Sequence, residues 1–149
     1  NTGITIAQIV DIKGNPTIAF DTTSDILDKG KIKPDGFICL EAIACKEVAD
    51  VLDRKKVTGK VIIAMDTDQG VLDWIKKGMI QATIAQKPFT MAYYGMKMLG
   101  DLHLSPLKPL DLNWSQDTTS PVPMFIDTGA TLIDKGNVDT FVSSRDAAK

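Results

Sequence analysis

The hydrophobic pattern along the chain alternates between short apolar runs and longer segments with helical spacing. The apolar, largely β-branched runs predict five strands, at Ile4–Ile12, Gly36–Leu40, Val61–Met65, Ile80–Ala85 and a late strand that combines Met124–Ile126 with Thr131–Ile133. Helical spacing and capping residues predict helices over 16–29, 42–54, Asp68–Lys77, Pro88 to about Leu102, and Asn137 to Val142. Strands separated by helices predict an α/β fold, a three-layer parallel sheet with helices on both faces.

The apolar run Val61–Met65 is unbroken by any polar residue. A strand of a parallel sheet that is covered on both faces has this composition. The sequence therefore predicts that this strand is buried on both sides.

Composition narrows the class of protein. The chain has 149 residues, 44% of them hydrophobic, and a net charge of −2 without a basic stripe. This balance predicts no nucleic-acid partner. No apolar run reaches transmembrane length, and the first residues lack the basic and apolar regions of a signal peptide, which does not exclude export.

The sequence offers little to a metal or a cofactor. Cys39 and Cys45 are interpreted as small buried hydrophobic residues, with a disulfide or a metal pair as the alternative. His103, the single histidine, has no second histidine or cysteine nearby. There is no Gly-rich phosphate loop either, so we expect no metal and no cofactor.

Polar residues close four of the predicted strands, namely Asp11, Glu41, Asp66 and Gln86. Strand ends of a parallel sheet share one edge, and ligands of open α/β sheets bind outside the carboxyl ends of the strands. Carboxylates accept hydrogen bonds and a carboxamide both donates and accepts, which suits a ligand rich in hydroxyl groups. The alternative for Asp66, followed by Thr67 and Asp68, is that it caps the next helix.

Two other interpretations of these residues, a catalytic pair and a phosphoacceptor site, have less support than ligand binding. Glu41 and Asp66 could form an acid and base pair, but no nucleophile elbow accompanies them, and we predict no catalytic residues. Asp66 and Lys87-Pro88 look like the phosphoacceptor and the Lys-Pro of receiver domains. Only one helix and one strand separate them, which is too few, and the acidic pair of the first strand is missing.

Longer motifs give a resemblance. Together with Asp66, the segment Ile75–Pro88 (IKKGMIQATIAQKP) and the segment Met91–Gly95 (MAYYG) resemble the type 1 periplasmic sugar-binding proteins. These are ribose-binding-protein-like solute receptors of ABC transporters. The resemblance runs from Ile4 to about Phe141 and corresponds to the C-terminal portion of such a receptor.

The resemblance implies a function and a location. It implies a non-enzymatic component that recognises a sugar or polyol for an ABC importer, with membrane subunits as partners and a periplasmic or exported location. The alternative is the effector-binding core of a sugar-responsive transcription regulator, which shares the fold.

The resemblance also implies residue roles. Asp66 and Gln86 match positions that contact sugar hydroxyls, and Glu41 stands where ribose binders carry Asn or Asp, which leaves the sugar open. Asp11 completes the set. The implied organisation is part of the C-terminal lobe over 1–87, a helix and connector that pack on the absent N-terminal lobe over 88–123, and the last crossover strand and terminal helix over 124–149.

An unpartnered helix predicts self-association. Burying Met91, Tyr94, Met98 and Leu102 would contribute about 1.5–3 kcal/mol each, and Ile4–Ile12 would leave an unpaired sheet edge. We therefore expect a homodimer or an exchange of elements between chains. We also expect this chain alone to bind sugars weakly or not at all.

Overall fold

The computed structural model describes residues 3–31, 33–106, 113, 116–120 and 122–147. The chain divides into two compact units. The larger contains Asn1–Ala85 and Thr131–Lys149, and the smaller contains Gln86–Ala130.

The larger unit carries four helices and four strands. In chain order they are α1 (Pro16–Asp28), β1 (Gly36–Ile38), α2 (Ala42–Arg54), β2 (Val61–Met65), α3 (Gln69–Lys77), β3 (Ala82–Ala85), β4 (Thr131–Asp134) and a terminal helix (Val138–Ala147). Local chemistry sets the boundaries: the Asn15 side chain accepts from the Thr17 N–H before α1, and Gly78 ends α3 at a φ of 80°. The terminal helix extends further than predicted.

The strands lie in the order β1-β2-β3-β4. β1 pairs parallel with β2, and β2 parallel with β3, whereas β3 and β4 are antiparallel. The predicted α/β class is confirmed, but a fully parallel sheet is wrong for this last pair. The chain leaves β3 at Ala85 and enters β4 at Thr131, the residue paired with Ala85, so β4 starts where β3 ends and runs in the opposite direction.

One face of the sheet carries the core. Residues paired across strands point to the same side, which places Ile62, Ala64, Thr83 and Ile133 on a single face. There they pack with residues of α2, α3 and the terminal helix, including Leu52, Leu72, Ile75 and Val138. α1 reaches this cluster through Leu27.

The other face is apolar but uncovered in large part. Ile38 is 75% exposed, Leu132 57% and Val61 48%, while Ile63 and Ile84 are half-buried. The predictions of helices on both faces, and of Val61–Met65 buried on both sides, are therefore wrong for the described part of the larger unit. The helices that enter the core cluster all pack on the opposite side of the sheet.

One predicted strand and the first half of the predicted late strand do not form. Ile4–Ile12 has no strand pairing and Ile9 is 85% exposed, and Met124–Ile126 is also irregular. Strand propensity expresses packing and pairing partners more than an intrinsic backbone preference. Among the described residues neither segment pairs with the sheet, so its β-branched side chains alone do not make it a strand.

The smaller unit contains α4 (Pro88–Leu104), two residues longer than predicted. No residue of α4 is buried: Met91 and Tyr94 are exposed, and Met98 and Leu102 are half-buried. The predicted connector after it falls partly outside the described residues. Within the described part of the chain, no helix has the length and hydropathy to cross a bilayer.

Candidate ligand-binding edge of the sheet

The candidate edge is formed by the loops that follow β1 and β2 in the larger unit. Asp66, which follows β2, adopts a left-handed conformation with a φ of 76°. Its N–H donates to the carbonyl of Ile84 at 3.0 Å, and its carbonyl accepts from Thr83 Oγ1 at 2.7 Å. A non-glycine residue in this region costs about 1–3 kcal/mol, and such residues cluster at binding and active sites.

The hydroxyl of Thr83 explains how Asp66 is held. Thr83 is fully buried on the core face of β3, and a buried hydroxyl requires a hydrogen-bond partner. Its partner is the Asp66 carbonyl, so β3 fixes the backbone of the loop that follows β2. Thr83 is not among the residues predicted for the site, although a lone hydroxyl in the apolar segment Ala82–Ala85 is a usable signal.

The capping role considered for Asp66 belongs to its neighbour Asp68. The Asp68 carboxylate accepts from the Gly70 N–H at 2.9 Å, and Asp68 is the N-cap of α3. It also lies 3.4 Å from Lys46 Nζ. Asp68 therefore supplies the N-cap of α3, and the side chain of Asp66 is exposed.

Glu41 occupies the N-cap position of α2, but its side chain makes no capping hydrogen bond. Only its carbonyl takes part in the first turn, where it accepts from the Cys45 N–H at 3.4 Å and lies 3.2 Å from Cys45 Sγ. The exposed carboxylate therefore sits at a helix N-terminus, where the helix dipole favours negative charge.

The loops that bear Glu41 and Asp66 adjoin each other. The Cys39 N–H donates to the Ile63 carbonyl at 2.9 Å, which continues the β1–β2 ladder to the end of both strands. The Cys45 thiol lies under the loop that bears Glu41, 3.2 Å from the Glu41 carbonyl oxygen. A hydrogen bond from Cys39 lowers the pKa of Cys45, and burial and the charge of Asp66 act against this shift. The structure thus brings Glu41 and Asp66 to one edge.

The other two predicted residues, Gln86 and Asp11, do not lie in the loops that bear Glu41 and Asp66. Gln86 is exposed, follows β3 directly and is the first residue of the smaller unit. Asp11 does not close a strand, and its carboxylate accepts from the Lys13 N–H at 2.9 Å within the turn that precedes α1. The binding roles of these residues stay predictions.

The carboxylates of Glu41 and Asp66 are hydrogen-bond acceptors that suit polar ligands. In the described part of the chain no group of three His, Cys, Asp or Glu side chains could hold a metal ion. Two carboxylates that only accept hydrogen bonds, at adjacent strand ends, match ligand groups that donate, such as hydroxyls.

Comparison with known proteins decides the family. Residues 1–104 match the model of a periplasmic binding protein domain. The chain belongs to this family. No match was found among curated proteins.

Solved structures agree with this assignment. A sugar-binding protein of a sugar ABC transporter from Bacillus halodurans is 27% identical over 92% of this chain, with a TM-score of 0.66. The arabinose-binding protein AraP from Geobacillus stearothermophilus is 26% identical over 92%, with a TM-score of 0.68. GanP, a glucose-galactose binding protein from the same organism, is 24% identical over 91%, with a TM-score of 0.73, and supports the fold.

This periplasmic binding protein domain spans less than half of the length of those structures. It covers 46%, 45% and 43% of the three chains, respectively. The expectation of an incomplete lobe of this fold is confirmed.

Proposed function

We propose that this chain forms part of the sugar-recognition lobe of the solute-binding component of an ABC importer. Two of the similar structures are a sugar-binding protein of an ABC transporter and an arabinose-binding protein. The ligand class that follows is a sugar or polyol, and the chain recognises it without a chemical step. The partners are the membrane subunits of the transporter, and the location is the periplasm or another exported position.

The observation that carries this proposal is the conformation of Asp66. Two hydrogen bonds to β3 hold its left-handed backbone. Thr83 Oγ1 donates to the Asp66 carbonyl, and the Asp66 N–H donates to the Ile84 carbonyl. Residues held in this conformation by the surrounding structure are frequent at binding sites, which supports a ligand contact at Asp66. Glu41, at the adjacent strand end, adds a second acceptor for ligand hydroxyls.

Gln86 has the third role in the proposal. A carboxamide can donate as well as accept, which suits a hydroxyl-rich ligand. Its position directly after β3 follows the same rule of strand ends that places Glu41 and Asp66.

High affinity belongs to the longer protein. The similar structures are more than twice as long as the region that this chain covers, and small-molecule sites bury most of the ligand surface. We therefore infer that residues 1–149 alone bind sugar weakly or not at all.

The test is calorimetry of a longer protein that contains this chain, with a panel of pentoses, hexoses and polyols. We expect one or a few sugars to bind, and Asp66→Asn to weaken binding at least about tenfold, since a hydrogen bond to a charged group contributes about 1.5–3 kcal/mol. Glu41→Gln has a smaller effect in the same direction.

The matched control is Asp21→Asn, which removes an exposed carboxylate in the middle of α1. It should bind as the wild type does. Equal affinity of the Asp66→Asn protein and the wild type would remove Asp66 from the site, and the absence of any sugar ligand would reject the proposed function.

The chain by itself is proposed to form a homodimer or to exchange elements between copies. α4 has no buried residue, and the uncovered face of the sheet exposes Ile38 and Leu132. Exposed apolar surface of this kind favours association. A second copy of the same chain is the available partner in a purified sample.

A further inference from the structure

The two cysteines lie together at the end of β1, below the loop that carries Glu41. Cys39 extends the β1 ladder, and Cys45 is in the first turn of α2. Cys45 Sγ lies 3.8 Å from the Cys39 carbonyl oxygen, and both side chains belong to the same core cluster. The thiol of Cys45 therefore contacts the backbone of Cys39.

The surroundings leave each thiol one possible partner. Cys39 is 6% exposed and Cys45 is fully buried, and both belong to the core cluster with Val48 and Leu52. The sequence contains two cysteines in total. In the folded chain, burial keeps a cysteine of another molecule away from this pair.

We propose that Cys39 and Cys45 form an intramolecular disulfide when the chain folds in the presence of a disulfide-bearing oxidant, and that this bond clamps the loop carrying Glu41. The proposal rests on the proposed function in one respect, because an exported protein folds in a compartment that supplies such oxidants. The geometry of the pair is independent of any sugar.

The reaction is two successive thiol–disulfide exchanges in the open or partly folded chain. One cysteine thiolate attacks the S–S bond of the oxidant, forms a mixed disulfide and displaces one thiolate. The other cysteine then attacks the cysteine sulfur of this mixed disulfide and displaces the second. The oxidant gains two electrons and the two protons that the cysteines lose, and Cys39 and Cys45 are joined.

The folded structure favours closure of this bond. The hydrogen bond with Cys45 and burial both raise the pKa of Cys39, while the same hydrogen bond lowers the pKa of Cys45. Both cysteines belong to one chain and to one core cluster, so the second exchange is intramolecular and leads to the native neighbourhood of the two side chains. Once formed, the buried bond is shielded from reductants.

The consequence is a closed loop over residues 39–45. This loop holds Leu40 and Glu41 between the end of β1 and the start of α2. A cross-link lowers the entropy of the unfolded chain, and at this position it also limits opening of the candidate ligand-binding edge.

The experiment uses the 149-residue chain and glutathione as the probe. The reduced, denatured protein is refolded with oxidised and reduced glutathione. It is then denatured in the presence of N-ethylmaleimide, which alkylates free thiols, and its intact mass is measured. We expect a product that is two hydrogens lighter than the reduced chain and carries no maleimide. Its thermal midpoint should lie about 5 °C or more above that of the dithiothreitol-treated protein.

Matched variants identify the bond. Cys39→Ser and Cys45→Ser should each take up one maleimide, and their thermal midpoints should not change with glutathione. The amides of residues 40–44 should exchange hydrogen more slowly in the oxidised wild type than in the reduced protein. The maleimide uptake of the refolded wild type decides whether the disulfide forms, even where a serine variant fails to fold.

Several results would overturn the proposal. These are two maleimides on the refolded wild type, a stable glutathione adduct, or disulfide-linked dimers as the main product. A lower thermal midpoint after oxidation would reject the clamp. Because no sugar is present, failure here leaves the proposed function standing, and failure of sugar binding leaves this bond standing.

Discussion

The two faces of the sheet share the same strands but differ in what covers them. On one face Ile62, Ala64 and Ile133 are buried beneath helices. On the other, Ile38 and Leu132 are largely exposed, although they are equally apolar. Apolar composition on both sides of a strand therefore shows what the sheet can bury, and packing elements decide what it does bury.

This difference agrees with the partial coverage of the similar structures. The chain aligns with less than half of each of them. In the larger unit the helices of the core cluster pack on one side of a sheet whose sequence suits cover on both. Four predictions test the comparison, in order of decreasing effect.

The strongest test compares one isoleucine from each face. Ile62→Ala should lower the free energy of unfolding by about 2–5 kcal/mol, because it opens a cavity in the core. Ile38→Ala, on the exposed face, should change it by less than about 1 kcal/mol. Urea denaturation at low protein concentration measures both, and equal losses would mean that both faces are covered.

The second test compares two threonines on the core side of the sheet. Thr83→Val should lower the free energy of unfolding by about 1–3 kcal/mol, since the Asp66 carbonyl loses its hydrogen bond from the buried Thr83 hydroxyl. Thr131→Val, at the exposed start of β4, should fall within about 0.5 kcal/mol of the wild type. A loss confined to Thr83→Val, with faster hydrogen exchange at Asp66, would connect the core face to the candidate site.

The third test asks whether the exposed face associates. The wild type should show a concentration-dependent mass above the monomer in sedimentation equilibrium. Leu132→Lys should weaken this association at least about tenfold, the effect of a moderate interface residue. Thr58→Lys places the same charge in an exposed turn and should leave it unchanged. A wild type that is monomeric at micromolar concentration would contradict the prediction.

The smallest effect concerns the outer helix layer on the covered side. Lys55 Nζ lies 2.7 Å from Asp28 Oδ2, and this hydrogen bond lowers the pKa of Asp28 below 3.8. A lowered folded pKa adds stability above the unfolded pKa, and this stability is lost as the pH falls through the folded value. The thermal midpoint of Asp28→Asn should lie slightly below that of the wild type at about pH 6 and meet it near about pH 2. A difference in thermal midpoint that stays constant with pH would show that it does not arise from the ionisation of Asp28.

Sequence reasoning located most of the larger unit, for reasons that are local. Asn15 with Pro16, and Gly78, fix helix ends through hydrogen bonds or φ values that involve only their neighbours. Ile4–Ile12 failed because a strand requires a partner strand, which no local pattern reveals. The antiparallel β4 was missed for the same reason.

The candidate site was predicted in part. Glu41 and Asp66 follow from the rule that polar residues after parallel strands meet at one edge. The left-handed conformation of Asp66, the cap supplied by Asp68 and the support from Thr83 depend on contacts between β2 and β3. Those contacts join residues far apart in sequence and are therefore outside the reach of periodicity.

The sequence by itself determined the α/β class, the boundaries of most elements and the family resemblance, because periodicity, capping and turn chemistry act over a few residues. Only the tertiary structure decided which face of the sheet is covered, how β4 is oriented, and that Cys39 and Cys45 touch. These features arise from pairing and packing between distant segments, whose free energy depends on which partners are present rather than on the local order of residues.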